Sequence, residues 1–223
     1  MKPAALIFLL FISLHSLAQD CRQFLLLQKG KTVEMSIYNK KGDLAARKVY
    51  QVSDVSTSGA VTTGSLVTEM FDKKGRSIAK ANSTMQCNGG AMMIDMKMLI
   101  PQQQSEQFNT AAKAESMYLE YPASMAAGDA LKDGNMTMDI NTSGLPSTAT
   151  ILITDRKVEG KESVTTTAGT WDCYRISFKG KMKIKMGPIP INSNLDGTEW
   201  FAPGFGVVKS DSKNGSTVIT SIK

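Results

Sequence analysis

Beyond residue 18 the chain has no histidine; the single one, His15, lies in the first segment. That absence removes Ser-His-Asp and Cys-His catalysis, histidine-based zinc or copper sites and histidine proton shuttling. Cysteine is scarce as well, with only Cys21, Cys87 and Cys173. The one long apolar run, Ala4 to Leu14, is too short to span a membrane. Nothing in the chain has the pattern of a catalytic, metal or cofactor signature, so no enzyme, no metal and no cofactor is expected. The formal net charge of +6 is moderate for 223 residues, and no nucleic-acid motif accompanies it.

The first eighteen residues are expected to be a secretory signal peptide. Lys2 supplies the positive start, the Ala4 to Leu14 run the apolar core, and Ser16-Leu17-Ala18 a small-x-small cleavage site. Asp20 stands directly before Cys21, where lipid attachment needs a small residue, so a periplasmic or secreted, non-lipidated protein is expected. No linker divides residues 19–223, which are expected to form a single β-domain. In an oxidising compartment three cysteines give one pair and one left over. Cys21, near a mobile chain end, is the partner most able to reach the required geometry, and Cys87 and Cys173 both stay open as its mate. A free functional thiol is the minor alternative.

Alternation of apolar and polar residues dominates what remains. Val33, Met35 and Ile37 share a face, and the strand ends at Tyr38-Asn39-Lys40-Lys41-Gly42. Phe71-Asp72-Lys73-Lys74-Gly75 repeats that turn, which predicts two hairpin tips of one make. Strands are also predicted over 60–71, 78–87, 136–140, 149–158 and 217–222. The run from Met92 to Ile100 reads as a strand with Met92, Ile94, Met96 and Met98 on one apolar face. Gln102 to Ala114 is the single helical candidate. Val158 to Lys179 reads as a hairpin turning at Ala168-Gly169-Thr170, with Trp171 and Cys173 on one face of its second strand and Tyr174, Ile176 and Phe178 on the other. Lys179, Lys181, Lys183 and Lys185 give the next strand a wet edge, and Gly187-Pro188-Ile189-Pro190 is a rigid break.

Methionine is plentiful at fourteen residues. Met92, Met96, Met98, Met136 and Met138, with Ile94, suit an adaptable core or the lining of an apolar pocket; Cu(I) binding by thioethers is disfavoured without histidine or a nearby cysteine. Trp171 and Trp200 are read as buried anchors that also qualify as pocket-lining residues.

Several segments together resemble the TapB-like family of exported bacterial proteins of unknown function, common in Bacteroidota. They are Asp20-Cys21 with Phe24, the Asn39 turn, Met85-Gln86-Cys87 with Ile94-Asp95-Met96, and Leu119-Glu120-Tyr121-Pro122. Arg156 to Glu162, Ala168 to Cys173, Glu199-Trp200-Phe201-Ala202 and Gly206 to Lys209 complete the set. The resemblance implies a curved antiparallel sheet or open barrel, akin in shape to lipocalins and lipoprotein carriers, and by analogy a hydrophobic ligand. The reading is therefore all-β: an antiparallel meander of about ten to twelve strands forming a curved sheet or open barrel, with one short helix over an opening. Its expected role is a non-enzymatic envelope protein that binds an apolar or amphiphilic, lipid-like ligand. The alternative is a structural or interaction protein with a solid core and an envelope protein partner.

Overall fold

In the computed structural model, the described residues are 21, 24–99, 113–116, 118–142, 145–186 and 188–223. Residues 1–18, expected to be a signal peptide, and most of the helical candidate, from Gln102 to Ala112, lie outside them. Lys113 and Ala114, the end of that candidate, belong instead to a strand.

Among the described residues fourteen strands make one sheet. In chain order they are β1 (Thr32–Asn39), β2 (Leu44–Ser58), β3 (Val61–Asp72), β4 (Ser77–Asn88), β5 (Ala91–Asp95), β6 (Lys113–Ser116) and β7 (Tyr118–Tyr121). There follow β8 (Gly134–Thr142), β9 (Leu145–Thr166), β10 (Gly169–Met186), β11 (Ile189–Asn194), β12 (Gly197–Ala202), β13 (Gly206–Ser212) and β14 (Gly215–Ile222). Every pairing is antiparallel.

The order across the sheet begins at β6 and ends at β7. Those two strands are separated in the chain by residue 117 alone, so the chain itself holds the two ends of the sheet together. The sheet therefore curls into a nearly closed barrel, in which few strand edges stay free to pair with another molecule. No helix among the described residues is long and apolar enough to cross a membrane.

The two repeated turns are built alike. Asn39 Oδ1 accepts hydrogen bonds from the N–H groups of Lys41 and Asp43 at 2.8 and 3.0 Å. Asp72 Oδ1 accepts from Lys74 and Arg76 at the same two distances. Gly42 and Gly75 close the turns at φ 83° and 81°, where a side chain would be strained.

Inward residues alternate cleanly along β3, where Thr62, Gly64, Leu66, Thr68 and Met70 are buried. The chain before β1 packs over this row. Leu25–Leu27 forms one 3-10 turn, with Phe24, Leu26 and Leu27 buried. A Cβ at Gly64 would stand 2.6 Å from the Leu26 carbonyl oxygen, so glycine is what lets the turn approach the wall. A disulfide between Cys21 and Cys87 fastens the same segment to the end of β4. Cys173 is free and buried.

Four expectations of secondary structure change. The apolar run from Met92 stops being a strand at Asp95, whose Oδ1 accepts a hydrogen bond from the Lys97 N–H at 2.9 Å and turns Met96–Leu99 into a 3-10 helix. Ile100 lies outside the described residues. The hairpin turn is Thr167-Ala168, since Gly169 already pairs with Thr166; the Thr166 hydroxyl accepts from the Ala168 N–H. The lysine-bearing part of β10 is not an edge, because β11 pairs with it from Lys181 to Met186. Pro190 falls inside β11, tolerated because that strand lies off the main path of the sheet and pairs only with β10.

Candidate functional site

The interior is part packed core and part cavity. One cavity, about 260 Å³, has Leu26, Val33, Met35, Tyr50, Met85 and Val207 among its walls. Ile94 and Met98 also line it, which places two of the predicted pocket residues on a cavity. Met92, Met96 and Met136 are wholly buried in packed core, and Met138 is nearly so. None of these four forms part of the wall.

The tryptophans lie elsewhere too. Trp171 packs against Phe205 with ring centroids 5.4 Å apart. Trp200 donates through Nε1 to Glu162 Oε1, with Lys209 Nζ 4.2 Å from its ring centroid. Both serve as packing anchors and stand off the cavity wall.

Two more spaces adjoin the first. One of about 140 Å³ shares Leu119, Phe178 and Glu199 with it. Another of about 300 Å³, beside the β13–β14 turn, shares Phe178, Ser210 and Thr217 with it. Phe178 thus stands where all three spaces meet, opposite Gly197. A Cβ on Gly197 would come within 3.1 Å of the Phe178 ring, so the glycine leaves the ring its place.

The polar group at this junction is Glu199. Its Oε1 accepts a hydrogen bond from the Tyr121 hydroxyl at 2.9 Å, and Arg156 Nη2 lies 3.6 Å from the same oxygen. The Arg156 guanidinium stacks 4.6 Å from the centroid of the Tyr121 ring, and Tyr121 stacks on Phe201 at 4.5 Å. Arg156 Nη1 also donates to the carbonyls of Glu120 and Lys132, both at 3.0 Å, while Nε and Nη2 have no hydrogen-bond acceptor among the described residues. Burial raises the Glu199 carboxyl above its ordinary pKa, and the Arg156 charge and the Tyr121 hydrogen bond oppose that shift. Burial, reinforced by the Glu199 charge, holds the Tyr121 hydroxyl well above its usual value.

Arg156 points inward because of a bulge. On β9 Ile151 and Ile153 face the core, and strict alternation would bring Asp155 in next. Instead Asp155 and Arg156 together oppose Phe178 of β10, and Asp155 takes φ 52° and stays exposed. The extra residue reverses the parity, so Arg156 and Val158 become the buried pair. Period-two reading missed the inward Arg156 for that reason. Arg156, Tyr121 and Glu199 all fall within segments that carried the family resemblance, but as strand residues with no chemical pattern between them.

The DUF3108-like family model matches residues 28–223. The barrel superposes with TM-score 0.70 on a candidate exported protein with a YmcC-like fold from Bacteroides fragilis NCTC 9343, at 23% identity over 90% of this chain and 98% of that one. A candidate lipoprotein from Parabacteroides distasonis ATCC 8503 superposes with TM-score 0.69, at 22% identity and the same coverage. At these identities the likeness shows a shared fold. No curated protein matches the chain.

Proposed function

The chain belongs to the DUF3108-like family, a family description other than the TapB-like name its motifs suggested, and from that premise we propose that it is an exported, non-enzymatic binder of an apolar or amphiphilic ligand in the cell envelope. The observation that carries this reading is the cavity of about 260 Å³ in the barrel interior, with apolar walls from β1, β2, β4, β5, β7, β10 and β13 and the Leu26 turn. With the adjoining space at Glu199 it comes within the ~300–1,000 Å³ range of small-molecule sites. The leader-like first eighteen residues, and the description of the two structural relatives as exported protein and lipoprotein, support an envelope location. The Asp20-Cys21 pair favours a non-lipidated protein.

Native mass spectrometry of protein purified from its own envelope, followed by solvent extraction, tests the reading. One small-molecule adduct per chain, lost in an Ile94→Trp variant that fills the cavity, is the expected result. A bare chain that takes up no amphiphile on incubation would overturn it.

A second reading, a structural or interaction protein with a solid interior, draws on Met92, Met96 and Met136, which are fully enclosed in packed core. A stoichiometric envelope partner in a pull-down, with no extractable lipid, favours that alternative.

A further inference from the structure

One wall of the main cavity carries a polar row. Glu199 of β12 pairs with Ser210 of β13, and Ser210 pairs with Thr217 of β14. All three line the apolar cavity, and Ser210 and Thr217 continue into the outer space, where Asn214 and Ser216 join them. Among the described residues no hydrogen bond occupies the Ser210 or Thr217 hydroxyl. The acid of the outer space, Asp211, is tied to Lys209 at 2.8 Å.

The charge on Glu199 is balanced from behind. Arg156 has a fully buried side chain and lines none of the three spaces. A molecule entering the cavity therefore meets the glutamate and the hydroxyls, not the guanidinium. A carboxylate placed there would lie against a second carboxylate in a low-dielectric wall, and an ammonium would lose its hydration with Glu199 already neutralised. An uncharged group with several hydroxyls both donates to Glu199 and exchanges hydrogen bonds with Ser210 and Thr217.

We propose that the ligand is an amphiphile with an uncharged, hydroxyl-rich head, such as a glycoside or polyol, held along Glu199, Ser210 and Thr217 with its apolar tail in the main cavity. This rests on the cavity-binding reading and names the head group. An apolar cavity of ~150 Å³ takes one benzene, so this one suits a tail of about eight to ten carbons. The competing pole is Lys48, which lines the same cavity on β2, four strands from Glu199 and two from Thr217 in the sheet order. Its ammonium already donates to the Met98 carbonyl at 3.3 Å.

The test loads the full chain with the neutral fluorophore N-phenyl-1-naphthylamine and displaces it at pH 7.5 with n-octyl-β-D-glucoside or octanoate, both below their micelle thresholds. The glucoside should displace at about tenfold lower concentration than octanoate, and the shape-preserving pair Ser210→Ala and Thr217→Val should erase about that factor for the glucoside alone. Octanoate binding equally well or better, and losing affinity in Lys48→Met, would overturn the head-group assignment while leaving cavity binding intact. Failure of the fluorophore and of both amphiphiles to bind, confirmed by native mass spectrometry, would overturn both.

Discussion

Arg156 and Glu199 approach within 3.6 Å inside the barrel, with the arginine side chain fully buried and the glutamate nearly so. They join β9 to β12 over the intervening β10, and the Arg156 bonds to Glu120 and Lys132 carry the link to β7 and the loop after it. Removing one partner leaves a charge in a dry setting. Glu199→Gln or Arg156→Met should each cost about 3–5 kcal/mol in urea unfolding. The double variant should cost much less than the sum, because it buries no orphaned charge. Additive losses would show that the two do not act as a pair.

Asp155 offers a test of how the bulge sets the interior. At φ 52° its backbone is in a region that L-residues enter at a cost of ~1–2 kcal/mol, more readily for aspartate than for most. Asp155→Gly should leave stability near that of the parent, and Asp155→Val should lose about 1–2 kcal/mol. The salt bridge from Asp155 to Lys179 is too exposed to account for such a difference. Equal losses for both variants would assign the cost to the lost side chain and not to the backbone.

The Cys21–Cys87 disulfide closes a loop of sequence separation 66. Restriction of the unfolded chain by a loop of that size contributes about 4 kcal/mol. Reduction, or the Cys21→Ser and Cys87→Ser pair, should lower stability by about that amount and release the Phe24 to Leu27 segment first. Hydrogen exchange at Leu27, whose N–H donates to the Phe24 carbonyl, should accelerate before exchange in β3 does.

Cys173 sets an alkaline limit. Burial, aided by the Asp172 and Glu162 charges, pushes its thiol up from 9.0 to about 11. The unfolded thiol ionises near 9.0 while the folded one stays neutral, so the unfolded state binds fewer protons between those values. The thiol's contribution to stability is complete below pH 9.0 and is lost as pH rises through about 11. Cys173→Ala should remove that part of the decline, and native protein at pH 8 should resist thiol alkylation until denatured. Rapid alkylation of the folded chain would contradict the burial.

Local chemistry wrote most of the strands and turns. The Asn39 and Asp72 turns were readable because a side-chain acceptor, two lysines and a glycine specify one geometry wherever they occur. Met92 to Leu99 was misread beyond Asp95 because alternation says nothing of a carboxylate that caps its own strand. Its even-numbered residues are buried all the same. β11 was hidden by Pro190 and the Pro188 just before it, since an edge strand tolerates what a central one does not.

By itself the sequence determined the all-β class, the antiparallel meander and the hairpin tips, because these follow from period-two alternation and from turn residues acting over a few positions. Tertiary structure alone decided barrel closure, the Cys21–Cys87 pairing, the inward turn of Arg156 and the presence of a cavity at Ile94 and Met98. Each depends on which distant strand lies opposite: one extra residue against Phe178 inverts the faces of β9, and a cavity is space that side chains from many strands fail to fill, which no single segment encodes.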